Sequence, residues 1–115
     1  MNYIALIYYA ESAVADPQSP EGAAHLQSYG VYSEKLDKAG IMRGGAGLLP
    51  SPSATTVRVR EGKVLTTDGP FAETKEQLAG FFLMECKDLD EAIKWASEIP
   101  DAPIGSIEIR PVLTM

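Results

Sequence analysis

A chain of 115 residues with 45% hydrophobic and 23% charged content fits one globular domain that can bury a core without disulfides or a structural metal. A net charge of −6, with scattered bases, repels a phosphate backbone, so nucleic acid is a poor partner. The single cysteine, Cys86, has no intramolecular partner and lies in an apolar run, where a thiol packs as a small hydrophobe.

Tyr3 to Tyr9 is apolar, aromatic and β-branched, and reads as the first strand. The opening M-N-Y-I-A-L-I-Y-Y-A has no basic leader and is too short to span a bilayer. A cytoplasmic protein with no membrane partner is therefore expected. Glu11 to Gln18 reads as a loop. Ser19-Pro20-Glu21 then supplies a hydroxyl N-cap, a proline at the first helical position and an acid in the first turn. This predicts a helix to about Ala39, with Gly40 past its end.

Ile41 to Leu49 is a weak, glycine-broken strand. Thr55 to Arg60 alternates, with Val57 and Val59 on one side and Arg58 and Arg60 on the other. Glu61-Gly62 turns, and Val64 to Thr67 returns as the second arm of a hairpin. Leu78 to Cys86 is a nearly unbroken apolar strand. Asp88 begins a second helix, with Glu91 placed as in a capping box and Leu89, Ile93 and Ala96 giving the apolar face. Pro100 and Pro103 stop it, and Ile107 and Ile109 alternate with polar residues in a last strand.

This order predicts a single α+β domain over 1–115: a ferredoxin-like antiparallel sheet, two helices on one face, and an inserted β-hairpin. Tyr3 to Tyr9 and Leu78 to Cys86 are apolar on both faces, and two helices cover only one side. A second copy of the same sheet is the simplest cover, so a homodimer with facing sheets is expected.

His25 is the only histidine. At 100° per residue it shares a face of the first helix with Tyr29, Tyr32 and Leu36, aimed at the sheet or a cleft edge. Its side chain could carry a proton near neutrality, or simply pack. Asp68-Gly69-Pro70-Phe71 is a rigid turn presenting one carboxylate and one aromatic ring, with Phe71 expected to point into the core or a pocket. Arg43 lies in M-R-G-G-A-G, where backbone could approach a ligand closely. One His and one Cys leave no His/Cys metal site, and no dinucleotide or phosphate-loop fingerprint occurs, so neither metal nor cofactor is expected.

The run T-T-D-G-P-F-A-E-T-K-E-Q-L-A-G-F-F-L, Thr66 to Leu83, resembles the signature of the DGPF branch of the YCII-related family. The first strand, the hairpin and Ile107-Glu108-Ile109-Arg110-Pro111 agree with it, so the resemblance spans the chain. It implies a bacterial protein with a dimeric α+β-barrel fold, and an acid/base pair formed by a histidine and an aspartate. Here His25 and Asp68 are the residues that could fill those roles, with Tyr29, Tyr32, Arg43 and Phe71 as ligand contacts. The expected function is proton-transfer chemistry of isomerase or lyase type on a small molecule. A non-catalytic ligand-binding or regulatory dimer linked to transcription control is the alternative, and a cofactorless monooxygenase a more distant one.

Overall fold

A computed structural model describes residues 1–114. Six strands and two helices follow one another as β1 (Asn2–Tyr9), α1 (Pro20–Lys38), β2 (Met42–Gly47), β3 (Thr55–Arg60), β4 (Lys63–Asp68), β5 (Gln77–Glu85), α2 (Leu89–Ala96) and β6 (Ser106–Pro111). One sheet has the order β2-β5-β1-β6, and β3 pairs with β4 in a separate two-stranded ribbon. Strands β2 and β6 flank the antiparallel β5/β1 centre, as two interlocked β-α-β units require. The expected ferredoxin-like sheet with an inserted hairpin is what the chain forms.

Local chemistry accounts for the helix limits. Ser19 Oγ accepts the Gly22 N–H at 3.0 Å, Pro20 opens the first turn, and α1 ends two residues before Gly40. Asp88 caps α2 by accepting the Glu91 N–H at 2.9 Å. The return bond of Glu91 goes to the Lys87 N–H rather than to the cap residue itself.

Alternation along β1 and β5 sends Tyr3, Ala5, Ile7, Phe82 and Met84 to the helix side. There they meet Tyr32 and Leu36 of α1 and Ala92 and Ala96 of α2 in one core. Leu36 and Met84 are wholly buried, and truncating such a side chain costs about 2–5 kcal/mol. Tyr32 also donates to the Trp95 carbonyl at 2.6 Å, tying α1 to the end of α2. The buried stripe of α2 differs from the sequence expectation. Ala92 and Ala96 face the sheet, while Leu89 and Ile93 are half exposed, because small side chains let this short helix sit close.

Candidate active site

A cleft of about 740 Å³ opens between the first half of α1, the 11–17 loop, and the β2 and β5 strands. Its walls are mainly apolar, with Leu26, Met42, Leu78 and Phe82 among them. Its lining carboxylates are Glu11 and Asp16, and neither Lys nor Arg lines it. The size is that of a small-molecule site.

Helical spacing brings His25 and Tyr29 to the cleft, as the 100° periodicity requires, while Tyr32, one turn further, goes under α2. The His25 Nε2 lies 2.7 Å and 3.0 Å from the two carboxylate oxygens of Asp101. The Tyr29 hydroxyl donates to Asp101 Oδ2 at 2.7 Å. Asp101 is 3% exposed and sits behind the imidazole, so one buried carboxylate accepts two donors from α1.

An ionised carboxylate only accepts, which assigns the proton of a neutral His25 to Nε2 and leaves the Nδ1 lone pair free. The aromatic rings touch in sequence. Tyr9 and Tyr29 meet His25 edge-on at centroid distances of 6.4 Å and 5.4 Å, and Tyr29 stacks on Phe82 at 6.4 Å. Burial, followed by the hydrogen bond and charge of Asp101, pushes the Tyr29 phenol well above its ordinary value of 10.0. Burial and the charges of Asp101 and Glu11 raise Tyr9 also. Both phenols are therefore neutral near pH 7.

The Asp101 turn is held from below. Its backbone carbonyl accepts the Ile104 and Gly105 N–H groups at 3.1 Å and 2.9 Å. A Cβ on Gly105 would stand 2.0 Å from the Tyr8 carbonyl oxygen, so only glycine lets this turn close against β1. The mouth of the cleft is tied in a similar way. Glu11 accepts the Ser51 N–H at 2.5 Å and the Ser51 hydroxyl at 2.6 Å, joining two lips that both follow sheet strands. Gly22 admits the 14–17 loop, because a Cβ there would lie 1.9 Å from the Asp16 carbonyl oxygen.

Within the protomer the carboxylate that meets His25 is Asp101, not Asp68. Asp68 ends β4 on the exposed ribbon and does not line the cleft. Phe71 is 78% exposed rather than inserted, because the turn carries it away from the core. Arg43 occupies a bulge in β2 and donates to the Gly40 and Met42 carbonyls at 3.0 Å each, outside the cleft. Tyr32 lies in the core. Of the expected site residues, His25 and Tyr29 share the cleft.

Asp101, Tyr9 and Glu11 were not singled out from the sequence. Asp101 stands in I-P-D-A-P, 76 residues from His25, and a proline-flanked acid after a short helix was the only signal available. Cys86 is buried and unpaired, as its apolar run implied, and burial raises its thiol further. No cluster of three or more potential metal ligands occurs among the described residues, and no helix is long and apolar enough to cross a membrane.

The YCII-related domain family model matches residues 1–115. The chain belongs to the YCII-related family. An uncharacterised protein of Rhizobium meliloti (strain 1021) is 38% identical to this YCII-related chain over 114 residues, covering 97% of the chain and 92% of the relative. The solved structure of 5-chloro-2-hydroxyhydroquinone dehydrochlorinase (TftG) from Burkholderia phenoliruptrix AC1100, in complex with 2,5-dihydroxybenzoquinone, superposes with a TM-score of 0.55. It covers 98% of this chain and 94% of the dehydrochlorinase at 16% identity, which shows that the two share the YCII-like α+β fold.

Proposed function

We propose that this YCII-related protein performs acid/base chemistry of lyase or isomerase type on a small ring compound bound in the His25 cleft. The observation that carries the reading is the buried Asp101 carboxylate accepting from both His25 Nε2 and the Tyr29 hydroxyl at the wall of an apolar cleft. His25 Nδ1 takes a proton from an acidic O–H or C–H of the substrate. The imidazolium so formed lies against Asp101, and the same proton returns to the product or to water as the site resets. Such a positioned base contributes about 10²–10⁴-fold in rate. Tyr29 holds Asp101 and remains protonated.

The ligand class follows from the walls. The surrounding leucines, Met42 and aromatic rings suit a flat, largely apolar body. The dehydrochlorinase with the same fold acts on a ring compound of this kind, which adds support by analogy of fold alone. In the same reading the working form is a homodimer with facing sheets in the cytoplasm, since Ile4, Leu6, Tyr8, Phe81 and Leu83 face away from both helices.

Chloride release from 5-chloro-2-hydroxyhydroquinone, and binding of 2,5-dihydroxybenzoquinone by titration calorimetry, test the reading on the intact chain. The expected result is turnover that falls by about 10²-fold or more in His25→Gln while binding persists. If hydroxylated quinones bind and no panel of ring compounds is turned over, the cleft is a ligand-binding site of the regulatory alternative. If His25→Gln leaves turnover unchanged, the assignment of His25 is wrong.

A further inference from the structure

Most polar side chains on the cleft wall already have partners. Asp101 accepts from His25 Nε2 and from the Tyr29 hydroxyl, and Glu11 accepts from the Ser51 N–H and hydroxyl. Three neutral polar atoms of the lining have no hydrogen bond among the described residues: His25 Nδ1, the Tyr9 hydroxyl and Ser33 Oγ. No buried side-chain nitrogen or oxygen of those residues lacks a partner, so these three are open to the cleft rather than sealed behind its wall.

Position separates them. Ser33 follows His25 by eight residues on α1, about 12 Å along the helix axis. Tyr9 is the last residue of β1 and meets His25 edge-on at a centroid distance of 6.4 Å. Strand alternation puts it there. Tyr3, Ala5 and Ile7 face the helices, and Tyr9 continues their row past the buried core into the cleft. Burial first, then the charges of Asp101 and Glu11, raise its phenol. Its hydroxyl therefore stands in the field of both the carboxylate behind His25 and the carboxylate at the lip. It holds its proton near neutrality and is a neutral donor.

The base creates a need for such a donor. When His25 Nδ1 takes a proton from an O–H or C–H, negative charge gathers on a conjugated oxygen of the substrate. Neither Lys nor Arg lines the cleft to balance that charge. A fixed hydrogen-bond donor in a largely apolar site stabilises it instead. We propose that Tyr9 is a catalytic residue of the His25 cleft, its hydroxyl donating to the substrate oxygen that becomes negative as Nδ1 takes the proton. This rests on the acid/base reading above and narrows its substrate class. The acidic O–H or C–H must be conjugated to a second oxygen, as in a hydroxyquinone or an enolisable ring ketone. In the step itself the O–H or C–H bond breaks, an N–H bond forms on Nδ1, and the electron pair stays on the substrate. Tyr9 keeps its own proton, so no co-reactant is required.

Tyr9→Phe keeps the ring and removes the hydroxyl. Because that hydroxyl has no partner within the chain, the urea midpoint of the variant should match the native one. The hydroxyls of 2,5-dihydroxybenzoquinone ionise at neutral pH, so the compound presents the charged oxygen that Tyr9 is built to meet. Its dissociation constant by titration calorimetry should rise on the order of 10-fold in Tyr9→Phe, from the loss of one hydrogen bond to a charged group. In chloride release from 5-chloro-2-hydroxyhydroquinone, kcat should fall about 10²-fold with KM little changed. Native binding and turnover in Tyr9→Phe, with turnover lost in His25→Gln, overturns the role of Tyr9 and keeps the base. A lowered urea midpoint with unchanged binding assigns the hydroxyl to the fold and overturns it also. If nothing is turned over while Tyr9→Phe still weakens binding, the catalytic role of both residues falls and Tyr9 is a ligand contact only. A native chain that binds neither compound overturns both claims. Tyrosine ¹³Cζ NMR of the unmodified chain checks the contact without a variant: the Tyr9 resonance should move on saturation with 2,5-dihydroxybenzoquinone, and an unmoved resonance overturns the proposal.

Discussion

Asp101→Asn tests how the cleft is held together, and needs no knowledge of the substrate. The carboxylate is 3% exposed and accepts from His25 Nε2 and from the Tyr29 hydroxyl, both as close as 2.7 Å. A hydrogen bond to a charged group contributes about 1.5–3 kcal/mol, and a neutral one about 0.5–1.5 kcal/mol. Asparagine keeps the shape but presents one acceptor and one NH₂. Its oxygen at the Oδ2 place can still accept from both side chains, now as a neutral group, while the NH₂ at the Oδ1 place faces the His25 Nε2–H, donor against donor. Two bonds each weakened by about 1 kcal/mol, offset in part by no longer burying a charge, leave a net loss of about 1–2 kcal/mol. Asp101→Ala removes both bonds and leaves the Tyr29 hydroxyl unpaired, for a loss of about 3 kcal/mol. Urea denaturation of both variants, and of each combined with Tyr29→Phe, gives the coupling energy, expected near 1 kcal/mol for Asp101→Asn with Tyr29→Phe. Equal losses for Asn and Ala, with no coupling to Tyr29, would refute the picture of one carboxylate ordering both side chains.

Gly105→Ala forces a methyl group onto the Tyr8 carbonyl and should cost about 3 kcal/mol in thermal or urea denaturation, with loss of the His25 environment in its NMR spectrum. Glu11→Ala unties the lips of the cleft, and hydrogen exchange should find the Ser51 amide losing protection while the β1 and β5 amides stay slow. Tyr29 and Tyr32 are raised from 10.0, chiefly by burial, so folding favours the neutral phenols. The stability they contribute is complete below about pH 10 and is lost as pH climbs through their raised values. Phenolate absorbance should therefore show these two rings ionising together with alkaline unfolding, whereas a native-state titration near pH 10 would contradict their burial.

Much of the fold was legible because each element carries its own local signal. Ser19-Pro20 starts α1 by capping chemistry, and the valines and bases of 55–60 alternate with the two-residue period of a strand. His25 and Tyr29 were legible as cleft residues because helical spacing alone ties them to the buried Tyr32 and Leu36. The partner of His25 was not. Asp101 reaches it across 76 residues through the packing of the turn after α2 on β1, which no sequence period encodes. Asp68 stands out in the sequence through D-G-P-F, but a rigid turn fixes where the chain bends and not what the bend faces. Leu89 and Ile93 misled for a related reason. In an eight-residue helix hydrophobicity points to large side chains, whereas close approach to the sheet selects Ala92 and Ala96.

The central claim is that Asp101 orders His25 as a base whose free nitrogen faces the cleft. Because the chain has one histidine, ¹⁵N NMR of the imidazole reads that claim directly. The expected spectrum of the neutral ring shows the proton on Nε2 and an unprotonated Nδ1, whose resonance shifts when 2,5-dihydroxybenzoquinone is added. A proton on Nδ1 in the native protein, or an Nδ1 indifferent to the ligand at saturation, would contradict it.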